Sequence, residues 1–168
     1  MFNEEQLEDA TLNIFGELGY ERLNGYNIDR DYHSVFMDNC LFDDLCKINK
    51  DFNESKIQED IKTIKTLSHG NPIEDNKIFT RYLLEGVPVQ VKTNNGYQYK
   101  NVRLIDFENI NNNHFQAINQ FSIIEFDTKR PDIIVFINGI PLVVIELKTA
   151  TNEDVKLEDA YTQLTGYR

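Results

Sequence analysis

Between Arg130 and Lys148 the chain reads Arg-Pro-Asp-Ile-Ile-Val-Phe-Ile-Asn-Gly-Ile-Pro-Leu-Val-Val-Ile-Glu-Leu-Lys, with charged residues confined to the two ends. Two β-branched runs flank Asn138 and Gly139, a dipeptide that favours the tight reversal of a β-hairpin. Folding back at that point carries Asp132 toward Glu146 and Lys148. A strand projects alternate side chains to opposite faces, so Glu146 and Lys148 point one way and Leu147 the other.

Two carboxylates and one ammonium gathered at a strand end are the groups that hold a hard divalent ion such as Mg2+ and position a water beside it. That is equipment for metal-assisted phosphodiester hydrolysis. Glu-x-Lys by itself carries little weight in an acidic chain. Pro-Asp at the mouth of one buried strand and Glu-x-Lys at the exit of the next carry more, because burying an unpartnered charge costs several kcal/mol. The competing reading is a structural ion pair at a strand end, since such networks imitate sites.

Strand parity adds a condition. With a plain two-residue turn Ile137 pairs with Ile140, Asp132 falls opposite Ile145, and the two acids lie on opposite faces. With Ile137, Asn138 and Gly139 as a three-residue loop, Phe136 pairs with Ile140 and Asp132 falls opposite Val144. Glu146 is then its diagonal neighbour, at an expected Cα separation of roughly 5.5 to 8 Å. A shared metal therefore requires an odd loop or a bulge in this hairpin.

These residues resemble the PD-(D/E)xK nuclease motif in the form found in the R subunit of type I restriction enzymes. Downstream, Gln163 and Tyr167 match the Gln-x-x-x-Tyr that follows the hairpin in that family. Upstream, the similarity runs from Glu8 through Gly19 and Tyr20 to Asn119, Gln120 and Phe121. The resemblance covers essentially the whole chain. It implies an α/β, restriction-endonuclease-like fold: a mixed β-sheet with helices on both faces and an N-terminal helical insertion. It further implies a metal-dependent endodeoxyribonuclease in which Asp132 and Glu146, with the Leu147 backbone carbonyl and Glu8, hold one or two Mg2+ ions. Lys148 would orient or help deprotonate the attacking water, and Gln163 and Tyr167 would be accessory groups near the DNA. Double-stranded DNA is the implied substrate, methyltransferase and specificity subunits the implied partners, and the cytoplasm the implied location. Two other readings stay open: a different nuclease of this superfold such as a junction resolvase, because fold does not fix function, or a non-catalytic docking module of a multisubunit DNA-processing complex.

Length and charge set outer limits. A chain of 168 residues suits one nuclease domain, 1–168, that buries about 70% of its unfolded surface without disulfides. Cys40 and Cys46 fall in a helical pattern with no histidine near in sequence, which favours buried reduced thiols over a disulfide or zinc site. No leader pattern opens the chain and no apolar run approaches the ~20 residues of a spanning helix, so a membrane is not an expected partner. The 28 acidic against 17 basic residues give a net charge of −11, the wrong sign for gripping duplex DNA by phosphate neutralisation. A DNA-cutting fragment of this charge is expected to depend on a motor to deliver its substrate. Residues 1–168 carry no Gly-x-x-x-x-Gly-Lys-Ser/Thr phosphate loop. The resemblance implies that ATP belongs to a translocating part beyond this N-terminal fragment.

In chain order, Leu7, Thr11, Ile14 and Leu18 form the apolar stripe of an opening helix, with Phe15 beside it, Glu8 flanking it and Gly19 as its stop. A helical excursion spans about 38–85, with stripes Leu41, Leu45, Ile48, then Ile57, Ile61, Ile64, Leu67, then Ile78, Tyr82, Leu83. His69 lies in a loop and is assigned no role. Alternation from Val87 through Asn95-Gly96 to Leu104 predicts a second hairpin. Phe115 to Phe126 reads as one longer strand leading into the catalytic hairpin, 130–148. Thr151 and Asp154 resemble a capping box opening an accessory helix over 153–168.

Overall fold

A computed structural model describes residues 3–94, 96–148 and 157–166, with side chains in the last segment from Ala160 onward. The Thr151 and Asp154 cap, Asn95 and Tyr167 lie outside the described residues. In chain order the elements are α1 (Glu4–Glu17), β1 (Glu21–Asn24), α2 (Asp38–Ile48), α3 (Glu54–Lys65), α4 (Pro72–Glu85), β2 (Val87–Thr93) and β3 (Gly96–Val102). They continue with β4 (Phe115–Asn119), β5 (Ile123–Ile124), β6 (Thr128–Lys129), β7 (Ile133–Ile137), β8 (Ile140–Ile145) and α5 (Leu157–Thr165). The chain forms two compact units, Met1–Asp38 with His114–Arg168, and Asn39–Asn113.

The first unit is built on a mixed four-stranded sheet in the order β1-β4-β7-β8, with β1 parallel to β4 and the other neighbours antiparallel. Helix α1 starts at Asn3, whose side chain accepts from the Gln6 N–H at 2.7 Å while the Gln6 side chain caps the Asn3 N–H in return. It lies on one face of the sheet, where Leu12, Ala117 and Ile133 form a buried cluster joined by Phe15, Tyr20, Ile145 and Leu147. The arc turned inward is therefore Glu8, Leu12 and Phe15. The expected stripe is rotated by about one residue, since Ile14 and Leu18 are 57% and 68% exposed. An acid in the inward arc breaks the apolar pattern, so the period points to the wrong neighbours.

The single strand expected from Phe115 to Phe126 is also corrected. It breaks after Asn119, where Gln120 turns to φ 54, and only Ile123–Ile124 resumes pairing, with Thr128–Lys129. Phe121 leaves the strand to pack on Phe136 at a centroid distance of 5.1 Å, with the Arg30 guanidinium carbon 3.5 Å from the centroid of the Phe121 ring. Cys40 and Cys46 are half-buried rather than buried, and neither is in a disulfide. They flank the arc of Leu41, Leu45 and Ile48, which is buried as expected.

The hairpin of residues 130–148 turns through two residues. Asn138 and Gly139 both adopt left-handed backbone, φ 52 and 76, and Ile137 pairs with Ile140, the geometry of a type I′ turn. The three-residue loop is not formed. Instead Phe136 pairs with Pro141 and Val135 with Val143, so Leu142 is an extra residue bulged out of β8. Pro141 has no N–H to give the ladder, and β8 is an edge strand, which is where proline and bulges are tolerated.

Asn138 is fully buried. Its N–H donates to the His114 carbonyl and its Oδ1 accepts from the His114 N–H, both at 2.8 Å, which fastens the turn to the residue before β4. Asn138→Ala is expected to lower stability by about 2 to 4 kcal/mol, combining a left-handed alanine with a backbone donor that loses its acceptor. Asn138→Gly should recover the backbone part only. Urea midpoints for the three proteins test this, and an alanine variant as stable as the parent would refute it.

In the second unit the α2 stripe buries as the spacing predicts. Of the α3 stripe Ile57 and Ile64 are buried and Ile61 and Leu67 half-buried, while the α4 stripe of Ile78, Tyr82 and Leu83 is only half-buried. Helix α3 packs on the β2–β3 ribbon. Asn49 ends α2 by donating to the Leu45 and Arg103 carbonyls at 2.9 and 2.7 Å. The sequence pattern does not flag Asp60, which is fully buried between Ile57 and Ile64 on the inner face of α3. His69 is exposed, with its ring 2.7 Å from Asp75. Among the described residues no helix is long and apolar enough to cross a membrane.

Candidate functional site

The Leu142 bulge sets the chemistry of the sheet end. Beyond it Ile134 pairs with Val144 and Ile133 with Ile145, so one further step puts Asp132 level with Glu146 rather than Val144. Level residues of an antiparallel pair share a face. The parity condition is met by a bulge, and continuing the register would set the two acids opposite each other instead of on a diagonal.

A hydrogen bond fixes the acid that enters the hairpin. The Leu147 N–H donates to Asp132 Oδ2 at 2.6 Å, so the backbone between Glu146 and Lys148 faces Asp132. Asp132, Glu146, Leu147 and Lys148 are all half-buried. Leu147 turns its side chain to the α1 cluster, which leaves its neighbours directed to the other side of the chain, as alternation predicts.

Glu8 comes to the same end of the sheet from α1. Its Oε1 accepts from Asn119 Nδ2 at 2.6 Å, and its two oxygens lie 3.3 and 3.1 Å from Gln120 Nε2. Asn119 is the last β4 residue in the ladder, paired with Ile133, and Gln120 follows it where the strand breaks. Among the described residues Glu8, Asp132 and Glu146 do not offer three oxygens within 4.8 Å of one another. The register gives the reason: α1 covers the face that carries Ile133 and Ile145, whereas Asp132 and Glu146 belong to the face of Ile134 and Val144.

The amides that hold Glu8 are set by a close backbone approach. A Cβ on Gly25 would lie 2.6 Å from the Gln120 carbonyl oxygen and 2.8 Å from the Phe121 Cα, so only glycine lets the segment after β1 pass there. Arg130, just before the hairpin, donates to the Tyr26 hydroxyl. Asn119 and Gln120 enter the sequence reading only as matched letters. Their role has one sequence signal, two amides closing an otherwise apolar strand.

At the opposite sheet end His114 Nε2 lies 2.8 Å from Glu21 Oε2. That hydrogen bond, reinforced by Gln116, holds the Glu21 carboxyl below its ordinary range against the opposing effect of burial. On α5 Gln163 is exposed, and Tyr167 lies outside the described residues.

The chain matches the family model described as type I restriction enzyme R protein N terminus over residues 1–168. It is 33% identical over 178 residues to the type I restriction enzyme HindI endonuclease subunit of Haemophilus influenzae, covering 100% of this chain and 17% of that protein. It is also 32% identical over 153 residues to a Methanocaldococcus jannaschii protein provisionally named type I restriction enzyme MjaIXP endonuclease subunit, covering 85% of this chain and 15% of that one. The chain thus spans under a fifth of the length of these relatives. With its full length matched, the chain belongs to the type I restriction enzyme R protein N-terminal family.

Proposed function

We propose that residues 1–168 are the DNA-cleaving module of a type I restriction R subunit, a metal-dependent endonuclease of the PD-(D/E)xK kind. The observation that carries this reading is the bulged hairpin, whose last pair, Ile133 with Ile145, leaves Asp132 and Glu146 as the next residue on each strand, with Asp132 Oδ2 anchored by the Leu147 N–H.

The residues fit Mg2+. Asp132 and Glu146 are oxygen donors at half-buried positions on one strand face, the ligand chemistry that a hard cation selects. With one Asp132 oxygen anchored to backbone, the carboxylate is oriented before any ion arrives. An extended residue presents its N–H and C=O to the same neighbouring strand, which favours the Leu147 carbonyl as a further donor. Glu8, oriented by Asn119 and Gln120, adds negative charge at this sheet end and so favours a cation without sharing the donor set. Bound Mg2+ would supply Lewis-acid stabilisation of the phosphate and a more acidic water. Lys148, two residues beyond Glu146, would orient that water and hold positive charge against the phosphorane-like transition state. Gln163 is a solvent-facing amide suited to a DNA-proximal role.

The relatives' names place such chains in restriction endonuclease subunits. By extension the substrate is double-stranded DNA, the partners are methyltransferase and specificity subunits, and ATP serves a motor outside residues 1–168.

Calorimetric titration of the chain with Mg2+ tests the site. Saturable binding of one or two ions is expected, weakened tenfold or more in Asp132→Ala with the circular dichroism spectrum unchanged. Equal binding by both proteins would leave a docking module as the better reading.

A further inference from the structure

The net charge of −11 is not evenly distributed. Residues 39–113 hold ten of the 17 basic and eleven of the 28 acidic residues, so that unit is close to neutral and the remainder carries nearly all the negative charge. Within it, 86–105 contains Lys92, Lys100 and Arg103 and no acid. This stretch is the β2–β3 ribbon.

The ribbon's outer face is aromatic and basic. Lys92 pairs with Tyr97 and Gln90 with Tyr99, so these four side chains share a face. Tyr97 and Tyr99 are 67% and 72% exposed, unusual for rings with no ligand to cover them. Lys100, which pairs with Val89, projects from the opposite face of the ribbon, and neither it nor Lys92 has an ion-pair partner among the described residues. Lys56 of α3, paired with Glu59 at 2.5 Å, joins them around a cleft of about 470 Å³ that Phe52 and Tyr97 also line, with Asp51 the acid among the lining residues.

We infer that the β2–β3 ribbon and its cleft bind single-stranded nucleic acid, with Tyr97 and Tyr99 stacking on bases, Lys92 meeting phosphates beside the rings and Lys100 meeting them in the cleft. Exposed rings next to lysines are the combination that captures strands without reading sequence. Ring stacking favours an open strand over a duplex, because it needs exposed base faces and a duplex covers each face with the neighbouring pair. This site is distinct from the carboxylate site and does not require it.

Fluorescence anisotropy of a labelled 20-mer of thymidine, titrated with the whole chain in EDTA at low salt, tests the inference without cleavage. The strand should bind at least tenfold tighter than a 20-base-pair duplex. Tyr97→Ala with Tyr99→Ala should weaken it tenfold or more. Lys92→Gln with Lys100→Gln should flatten the slope of log affinity against log salt by about 1.4, near 0.7 per phosphate contact. All four positions are exposed, and urea midpoints verify that the variants fold. No binding by the parent at 200 μM protein would overturn the inference. So would equal affinity for duplex, or a tyrosine variant within twofold of the parent.

Discussion

In the full-length enzyme, Glu146→Ala and Lys148→Ala are expected to abolish nicking of supercoiled DNA while ATP hydrolysis and fold persist. Removing Glu146 takes away one of the two proposed metal carboxylates and leaves Asp132 with its hydrogen bond from the Leu147 N–H. Removing Lys148 would spare the proposed carboxylate ligands but remove the charge proposed to orient the attacking water, a loss of about 10²- to 10⁴-fold by the usual scale of proton-transfer and electrostatic groups. The fold should tolerate both changes, because β8 ends at Ile145 and neither side chain belongs to the α1 cluster. Supercoiled-plasmid nicking with Mg2+ reads the outcome. Nicking at the parent rate by either variant would remove this sheet end as the catalytic site.

Asp60→Asn is expected to stabilise the protein at neutral pH and to flatten its pH dependence. Asp60 is fully buried, and neither carboxylate oxygen has a hydrogen-bond partner. Burial pushes its pKa up to about 8. In the folded chain the group stays protonated to about that pH, whereas in the unfolded chain it ionises above about 3.9. The unfolded state thus binds fewer protons between these values, and stability falls as pH rises through them, by about 1.4 kcal/mol per unit. Stability from this residue is fully present below about pH 4 and is lost by about pH 8. The amide cannot ionise, so the variant should gain on the order of 2 to 4 kcal/mol at pH 7, less whatever its own unpaired atoms cost. Urea unfolding of both proteins from pH 5 to 9 makes the comparison. Parallel curves would show that Asp60 does not titrate as its burial requires.

The sequence makes the hairpin legible because period-two alternation and Asn138-Gly139 agree, and it makes α2 and α3 legible because their stripes are uninterrupted. It misleads where a polar group turns inward. Glu8 faces the sheet and Asp60 faces the core, and in both places a hydrophobic pattern skips the residue that matters. Strand breaks are equally silent, since Gln120 carries its left-handed backbone without a glycine to announce it. The bulge has a faint signal in Pro141. Parity alone demands some irregularity in the hairpin, but not whether a loop or a strand supplies it. Gln163 and Tyr167 rest on resemblance, because helix spacing cannot separate a cleft-facing amide from one in solvent.

The bulged Leu142 also changes what spacing means in such motifs. What the fold must conserve is where the two strands finish level, not how many residues lie between the acids. A chain one residue shorter could shed the bulge and still bring its aspartate across from its glutamate. A chain that kept the count but straightened the strand would turn Asp132 away from Glu146 while every letter of the motif remained. Leu142 acts as slack in the strand, and a pattern search cannot see slack.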